Sequence, residues 1–351
     1  MHHPAWMSKK LEKNTVECLA CTHRCKISPS KTGICGVRKN NNGTLELLVY
    51  GKSIATNIDP IEKKPLFHFY LGSEIFSIGT VGCNFSCKFC QNWEISQYPK
   101  LLNHMPVEDV GETLLPEDVV AFCKENSIPS IAFTYNEPAI FFEYAYDCAK
   151  LAHENGLNVV YVSNGYETPE ALKKILPYLD AANIDLKAFT QSFYGKICGG
   201  RIEPVKKTIW WLWKKGVWEE VTTLVIPGEN DDPDDLQQIA EFLVAISPDI
   251  PWHLSRYHPC YKMSNPPTSL ETLQQAYEIG KKAGLHHVYV GNISEPEREN
   301  TYCPNCNTTV IARNNYTIKN SLTNNNHCPY CKTIIAGKFP QSLPDKGDLG
   351  G

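Results

Sequence analysis

One short stretch of the chain holds three cysteines, which is too few for most closed metal sites. Cys83, Cys87 and Cys90 follow the spacing C-x3-C-x2-C, and the aromatic Phe89 stands directly before the third. Structural zinc takes four protein ligands in a tetrahedron, and an electron-transfer 4Fe-4S cluster takes four cysteines. A 4Fe-4S cluster held by three cysteines leaves one iron free to bind a small molecule. The spacing therefore predicts an iron–sulfur centre with one open position.

Composition and cysteine usage narrow the class of protein. The 351 residues are 42% hydrophobic and 21% charged, and the net charge of -4 provides no field that attracts nucleic acid. The sequence contains neither a run of about 18 uncharged apolar residues nor a secretory signal at its start. Eleven of the fifteen cysteines fall into three tight groups, as in metal-binding proteins of reducing compartments. We therefore expect a cytoplasmic protein without a membrane partner.

A second group of cysteines predicts a small metal-binding module over residues 1–58. Its members are Cys18, Cys21, Cys25 and Cys35. Four thiols in so short a stretch make a loop-rich module that a metal would hold together. Four cysteines can bind either zinc or a second iron–sulfur cluster. We favour a zinc ion with a structural role, and the second iron–sulfur cluster is the alternative.

A third group of cysteines lies near the C-terminus. Two C-x2-C pairs are separated by twenty-one residues: Cys303 with Cys306, and Cys328 with Cys331. This spacing predicts a zinc ribbon over residues 299–340, with a rubredoxin-like iron site as the alternative. Between the outer cysteines only Arg313 and Lys319 are basic, which argues against a nucleic-acid partner. The tail at 341–351 is predicted to be disordered.

Between these modules, over residues 59–298, strands alternate with helices. The predicted strands are 75–80, 130–134, 158–162, 182–186, 220–226, 252–255 and 287–290. The predicted helices are 116–125, 138–155, 169–179, 204–215, 233–246 and 270–283. This alternation predicts an α/β fold with a parallel sheet and helices outside it. Six βα units are too few to close an eight-stranded barrel, so we expect an open, partial (β/α)6 barrel.

Polar residues follow the predicted strands at their carboxyl ends, where parallel α/β folds bind ligands. They are Asn136 and Glu137 after the second strand, Ser163 and Asn164 after the third, and Asp185 and Lys187 after the fourth. Asp185 and Lys187 share a face because side chains alternate along a strand. Glu137 can hold an ammonium by a charge-assisted hydrogen bond, or it can simply cap the next helix. His253, on the sixth strand, is either structural or a ligand of the same site.

Several motifs together resemble a known family. They lie at residues 18–25, 33–38, 59–68, 83–90 and 91–96. The C-x3-C-x2-C loop resembles that of the radical S-adenosylmethionine (SAM) enzymes. The whole set is similar to the AmmeMemoRadiSam system radical SAM enzymes, relatives of the pyruvate formate-lyase activating enzymes, over roughly residues 16 to 295. The family commonly has Gly-Gly-Glu-Pro where this chain has Tyr135-Asn136-Glu137-Pro138.

The resemblance implies a mechanism and a set of cofactor contacts. Cys83, Cys87 and Cys90 would hold a site-differentiated 4Fe-4S cluster whose open iron binds SAM and whose electron releases a 5'-deoxyadenosyl radical. Phe89 would lie beside the adenine, and Ser163 and Asn164 suit the ribose hydroxyls. The other predicted SAM contacts are Asn136, Glu137, Asp185, Lys187 and His253, with Glu137 and Lys187 orienting the amino-acid end.

The resemblance also implies a function and partners. We expect a radical SAM enzyme that abstracts hydrogen from an unidentified substrate, with a protein or peptide, such as a co-encoded partner, as one candidate. A glycyl-radical enzyme activase is the alternative within this class. A non-catalytic metal-binding adaptor or scaffold is the alternative from another class. Memo and AMMECR family proteins are the implied partners, and a ferredoxin or flavodoxin is the implied electron donor.

Overall fold

The structure, a computed structural model, describes residues 3–101, 105–293, 296–314 and 317–339. The predicted disordered tail at 341–351 lies outside these residues. Apolar segments build one eight-stranded sheet at the centre of the molecule. Its strands are β1 (Ala55–Pro60), β2 (Glu74–Gly79), β3 (Ser130–Phe133), β4 (Asn158–Ser163), β5 (Ala181–Asp185), β6 (Trp218–Val225), β7 (Trp252–Arg256) and β8 (Val288–Gly291).

The sheet is open and almost entirely parallel. Strands β2 to β8 lie side by side in chain order and run parallel, while β1 pairs antiparallel with β2. β1 and β8 form the two edges of the sheet. The predicted parallel α/β architecture is therefore confirmed. β1 spans the predicted module boundary at residue 58 and belongs to the large sheet.

Helices follow most of the parallel strands. They are α1 (Pro116–Glu125), α2 (Phe142–Glu154), α3 (Pro169–Ile175), α4 (Ile202–Lys214), α5 (Pro233–Ile246) and α6 (Leu270–Ala283). The side chains of Thr168, Asp232 and Ser269 cap α3, α5 and α6 by accepting backbone hydrogen bonds in the first turn. Helix α3 ends earlier than predicted because Pro177 lacks the N–H that would continue it. Helix α2 begins later than predicted, after the 3-10 turn Pro138–Phe141.

Smaller elements form the flanking modules. The N-terminal strands are His3–Pro4, Ser8–Lys10, Val16–Cys18, Lys26–Ile27, Arg38–Asn41 and Thr44–Leu47, in two three-stranded sheets. Strands Lys52–Ser53 and Glu112–Thr113 pair with each other. The C-terminal strands are Thr301–Tyr302, Thr309–Asn314 and Thr317–Asn320. The short helical segments are Glu12–Asn14, Ile61–Lys63, Trp93–Ser96, Tyr98–Lys100, Val107–Asp109, Gln191–Phe193, Tyr194–Cys198, Pro296–Glu299 and Asn324–Asn326. Within the described ranges, no helix is both long and apolar enough to cross a membrane.

A buried carboxylate binds the segment that follows β1 to the sheet through hydrogen bonds. Glu220, near the start of β6, accepts hydrogen bonds from the backbone N–H groups of Phe67 (2.9 Å) and His68 (2.7 Å) and from Trp218 Nε1 (3.0 Å). Burial opposes its charge, but the hydrogen bond and charge of His253 outweigh that effect and lower the pKa of Glu220. Because these donors come from separate parts of the chain, Glu220 ties them together at the start of the strands.

The C-terminal module closes the same end of the sheet. Arg313 donates hydrogen bonds to Phe67 O (2.8 Å) and Thr301 Oγ1 (2.9 Å), and its guanidinium lies 4.3 Å from the centre of the Phe67 ring. The backbone N–H of Lys338 donates to His68 O (2.8 Å). The module is therefore bound to the barrel by buried polar contacts.

A buried ion pair fixes the N-terminal module to helix α2. Arg38 and Glu143 form two hydrogen bonds of 2.8 and 2.7 Å, and both residues are at most 1% exposed. The backbone N–H of Met7 also donates to Glu143 (3.0 Å). A charge removed from water needs its partner, because an uncompensated buried ion is strongly disfavoured.

We expect Glu143→Gln to lower the free energy of unfolding by about 3 to 5 kcal/mol, because it leaves the Arg38 guanidinium buried without its counter-charge. Urea unfolding followed by circular dichroism measures the change. Glu170→Gln is the matched control, because Glu170 pairs with Arg24 on the surface and such pairs contribute about 1 kcal/mol or less. Equal effects of the two substitutions would contradict this account of the ion pair.

Candidate active site

The three closely spaced cysteines line a cavity at the carboxyl ends of the parallel strands. The cavity measures about 250 Å³, and it lies where parallel α/β folds bind ligands. Cys83, Cys87 and Cys90 form one wall. Seven of the eight predicted SAM contacts form other walls: Phe89, Asn136, Glu137, Ser163, Asn164, Asp185 and Lys187. The structure thus brings these residues together, and their contacts with SAM stay a prediction.

Hydrogen bonds from elsewhere in the fold hold the cysteine loop. The backbone N–H groups of Ser86 and Lys88 donate to Cys198 O (2.8 Å) and Ile197 O (3.0 Å). Asn136 donates through Nδ2 to Gly82 O (2.9 Å). The loop therefore has a fixed shape that does not depend on contacts made by its cysteine side chains.

Donors and a positive charge surround the thiols. Cys83 Sγ accepts from the backbone N–H of Phe85 (3.4 Å), and Cys90 Sγ lies 3.2 Å from Ser96 Oγ. Lys187 Nζ donates to Asp185 Oδ2 (2.7 Å).

Burial opposes the charge of Lys187, but Asp185 and the thiols of Cys87 and Cys198 raise the pKa of Lys187 well above its usual value. An ammonium group that lines the same cavity as the three thiols suits an anionic iron–sulfur cluster. The donor set of this cavity therefore fits such a cluster.

Two buried carboxyl groups, those of Glu137 and Glu167, lie near each other beyond the ends of β3 and β4, and Glu137 lines the cavity. Glu137 accepts from the backbone N–H groups of Asn164 (2.8 Å) and Ala139 (3.1 Å). Ser163 Oγ lies 2.9 Å from Glu137 and 2.8 Å from Glu167. Burial and then the neighbouring Glu167 raise the pKa of Glu137 well above its usual value. Burial and mutual repulsion therefore disfavour ionisation of both carboxyl groups at once.

Sequence reasoning missed Glu167 and Glu220. Glu167 lies in the loop after β4, only three residues beyond Asn164, so a search of the whole loop would have found it. Glu220 falls in a predicted strand to which the sequence gives no further role. The sequence signal that could have identified Glu220 is a charged residue inside a predicted strand.

Tyr135 occupies a backbone conformation that favours glycine. Its φ is +67°, and the resembled family commonly has glycine here. Such a conformation costs an L-residue roughly 1–2 kcal/mol. The Tyr135 hydroxyl donates to Asp59 Oδ2 (3.0 Å) and accepts from Asn57 (2.9 Å), and Lys64 lies 4.9 Å from the ring centre. These contacts offset the strain.

His253 lies in a second cavity, next to the one with the cysteines. Its Nε2 is 2.6 Å from Glu220 Oε2, and its ring lies 5.2 Å from that of Tyr289. This second cavity measures about 430 Å³. It shares three lining residues with the cysteine cavity: Thr222, Ser255 and Asn292. The structure therefore brings His253 to the neighbouring space and not to the cysteine cavity itself, because His253 is near the start of β7.

The C-terminal cysteines form a compact metal-binding group. The sulfur atoms of Cys303, Cys306, Cys328 and Cys331 all lie within 4.8 Å of one another. The predicted four-cysteine site is confirmed as a group that can hold a metal ion.

The N-terminal cysteines lie beside the cysteine cavity. Cys18, Cys21 and Cys35 are buried and Cys25 is half-buried. Burial and then the thiols of Cys18 and Cys35 raise the pKa of Cys21. The same module contacts two loops next to the cavity, because Thr22 Oγ1 donates to Glu167 O (2.9 Å) and His23 Nε2 lies 3.0 Å from Asn84 O.

Comparison with known proteins agrees with this arrangement. The sequence profile of the radical SAM superfamily matches residues 77–243. An uncharacterized protein of Methanocaldococcus jannaschii is 43% identical over 311 residues, which is 88% of this chain and 91% of that protein. The chain therefore belongs to the radical SAM superfamily.

More distant similarities extend to activating enzymes. A second Methanocaldococcus jannaschii protein, named provisionally as a glycyl-radical enzyme activating enzyme, is 24% identical over 194 residues, 54% of this chain and 69% of that protein. The crystal structure of a domain of pyruvate-formate lyase-activating enzyme from Bacteroides vulgatus is 23% identical, with a TM-score of 0.40. The match covers 46% of this chain and 98% of that domain.

We expect Cys328→Ser to lose one equivalent of bound metal, because three thiolates and a hydroxyl bind a metal ion more weakly than four thiolates. Elemental mass spectrometry of the purified protein measures the loss. Cys123→Ser is the control, since Cys123 is equally buried but belongs to none of the three cysteine groups. Unchanged metal content in Cys328→Ser would contradict the assignment of this group.

Proposed function

We propose that this protein cleaves SAM reductively and uses the resulting radical to abstract a hydrogen atom from a substrate. The observation that carries the proposal is one cavity lined by three thiols, a lysine and the buried Glu137. Ser163 Oγ lies within hydrogen-bond distance of both Glu137 and Glu167. A ferredoxin or flavodoxin is the proposed electron donor. Superfamily membership supports the 4Fe-4S cluster and SAM as cofactors.

The residues of the cavity have distinct roles in this proposal. Cys83, Cys87 and Cys90 hold the cluster. When bound there, the cluster and SAM together supply a 5'-deoxyadenosyl radical. Lys187, fixed by Asp185, attracts the carboxylate end of SAM by charge.

The carboxyl pair of Glu137 and Glu167 suits the amino group of SAM. Two buried carboxyl groups side by side cannot both ionise without a nearby cation. A bound ammonium provides that charge, so binding of the amino group and loss of the shared proton are coupled. Phe89, whose ring lies 5.6 Å from Lys187 Nζ, offers an aromatic face to the adenine.

The second cavity is the proposed place for the substrate. It adjoins the cysteine cavity through Ser255 and Thr222, so a molecule held there would lie close to the radical. Glu62 and Glu299 line it. Carboxylate oxygens accept hydrogen bonds, so this lining favours a ligand that carries a donor such as an amine or amide. The proposed substrate therefore presents an N–H group to Glu62.

A glycyl-radical enzyme activase is the second candidate. Its hydrogen donor would be a glycine Cα–H in the backbone of a partner protein. The provisional name of one relative favours it. A peptide segment also carries backbone N–H groups that can donate hydrogen bonds to Glu62. Memo and AMMECR family proteins stay the proposed partners.

We expect the anaerobically reconstituted protein to produce 5'-deoxyadenosine from SAM when dithionite supplies electrons. Chromatography of the quenched reaction measures the product. Cys87→Ala should abolish it, because a cluster with two thiolate ligands is not retained. Lys187→Met should weaken SAM binding roughly ten- to hundredfold, the usual worth of a hydrogen bond to a charged group.

Lys207→Met is the control for Lys187→Met, because Lys207 lies on the exposed face of α4. It should leave the dependence on SAM concentration unchanged. Absence of 5'-deoxyadenosine from the fully loaded wild-type protein would overturn the proposal.

We expect Gly291→Leu to fill the second cavity without straining the backbone, since a Cβ at Gly291 meets nothing within 4 Å. Binding of small amines and amides, followed by ligand-observed NMR, should be lost in Gly291→Leu, because the leucine side chain occupies their space. SAM cleavage without substrate should change less than about twofold, because Gly291 does not line the cysteine cavity. Equal ligand binding by the two proteins would argue against the second cavity as the substrate site.

A further inference from the structure

The spacing of sulfur atoms distinguishes a single metal ion from a cluster. In a zinc site with four cysteine ligands every sulfur lies about 2.3 Å from one ion, which places the sulfurs roughly 3.8 Å apart. In a 4Fe-4S cluster each cysteine binds a different iron, so the sulfurs are separated by the width of the whole cluster. The C-terminal cysteine group and the C-x3-C-x2-C loop of the superfamily provide two spacings in the same chain with which the N-terminal cysteines can be compared.

The C-terminal cysteines have the spacing of a single ion. Cys303 Sγ lies 3.4 Å from Cys331 Sγ, and Cys306 Sγ lies 3.6 Å from Cys328 Sγ. Among the described residues, this is the one group of three or more His, Cys, Asp or Glu ligand atoms that all lie within 4.8 Å of one another. Cys83, Cys87 and Cys90, the cluster ligands of the superfamily, do not meet that limit.

The N-terminal cysteines have the wider spacing. All four are described, Cys18, Cys21 and Cys35 are buried, and the backbone N–H of Cys18 donates to Cys25 O (2.9 Å). No three of their sulfur atoms lie within 4.8 Å of one another in the described part of the chain. Their sulfur atoms are therefore less closely grouped than those of the C-terminal cysteines, as are the sulfur atoms of Cys83, Cys87 and Cys90.

A buried donor next to these cysteines lacks a partner. Arg38 is 1% exposed, and its Nε has no hydrogen-bond partner in the structure, although its two NH groups bind Glu143. The backbone N–H of Gly33, two positions before Cys35, donates to Arg38 O (2.9 Å), which places Arg38 next to the cysteine loop. An anionic centre held by these cysteines would supply an acceptor for the unpaired N–H. Hydrogen bonds to the sulfur atoms are one means by which proteins tune iron–sulfur clusters.

The N-terminal group also touches the loop of the first cluster. Gly82, directly before Cys83, has φ +94°, and a Cβ built there would lie 2.8 Å from Cys35 O. Only glycine fits this close approach without a backbone shift. The two sets of cysteines are therefore neighbours in space, although 47 positions separate Cys35 from Gly82 in the sequence.

We propose that Cys18, Cys21, Cys25 and Cys35 bind a second 4Fe-4S cluster, in place of the zinc ion that the sequence favoured. The proposal does not depend on SAM chemistry. It assigns four protein ligands to this cluster, which leaves no iron open, so the second cluster does not bind SAM.

Metal analysis of the full-length chain tests the proposal. After anaerobic reconstitution and removal of unbound iron, we expect about eight iron atoms, about eight sulfides and about one zinc ion per chain, from two cubic clusters and the C-terminal site. About four iron atoms with two zinc ions would overturn the proposal. About six iron atoms would indicate a 2Fe-2S cluster and would also overturn it.

The variant Cys83→Ala/Cys87→Ala/Cys90→Ala removes the first cluster and leaves the N-terminal module untouched. It should retain about four iron atoms. After reduction by dithionite it should show the electron paramagnetic resonance signal of a 4Fe-4S cluster, and SAM should not change that signal. An iron-free variant with a native circular dichroism spectrum would refute the second cluster. Cys328→Ser is the matched control, which should lose zinc and keep both clusters.

Discussion

The active site depends on how hydrogen bonds outside the cysteine loop fix that loop at the carboxyl ends of the strands. Residues 197 and 198 pair with its backbone, and Asn136 holds Gly82 from the end of β3. A pre-formed loop loses little conformational freedom when a cofactor binds. The remaining walls come from the ends of β4 and β5, whose positions follow from the parallel order of the sheet. The geometry of the thiols is thus a property of the whole sheet.

The two flanking modules contact the central sheet and its helices at different places. Each does so through a buried arginine. The N-terminal module is joined to α2 by the pair of Arg38 and Glu143, and it contacts the loop that carries Glu167. The C-terminal module inserts Arg313 beside Phe67 at the other end of the sheet. In both cases a buried guanidinium satisfies groups that would otherwise be unpaired.

The sequence predicted the architecture and most of the site because local signals carry them. Apolar strands alternate with capped helices, and the rule that ligands bind at strand ends was enough to place Asp185 and Lys187 in the cavity. The positions that the sequence did not predict are set by contacts between residues that are distant in the chain. Glu167 lies near Glu137 only because β3 and β4 are neighbours in the sheet. His253 lies at the second cavity because it is near the start of β7 and not at its carboxyl end. Tyr135 keeps its left-handed conformation through contacts with the distant Asn57 and Asp59.

The central claim is that one iron of the cluster on Cys83, Cys87 and Cys90 is left for SAM. Electron–nuclear double resonance of the reduced protein with SAM labelled with 15N in its amino group and 13C in its carboxylate tests this claim directly. Direct ligation predicts hyperfine coupling from both labels to the cluster spin, which disappears in Cys87→Ala. A reduced cluster that shows no coupling to either label at saturating SAM would contradict it.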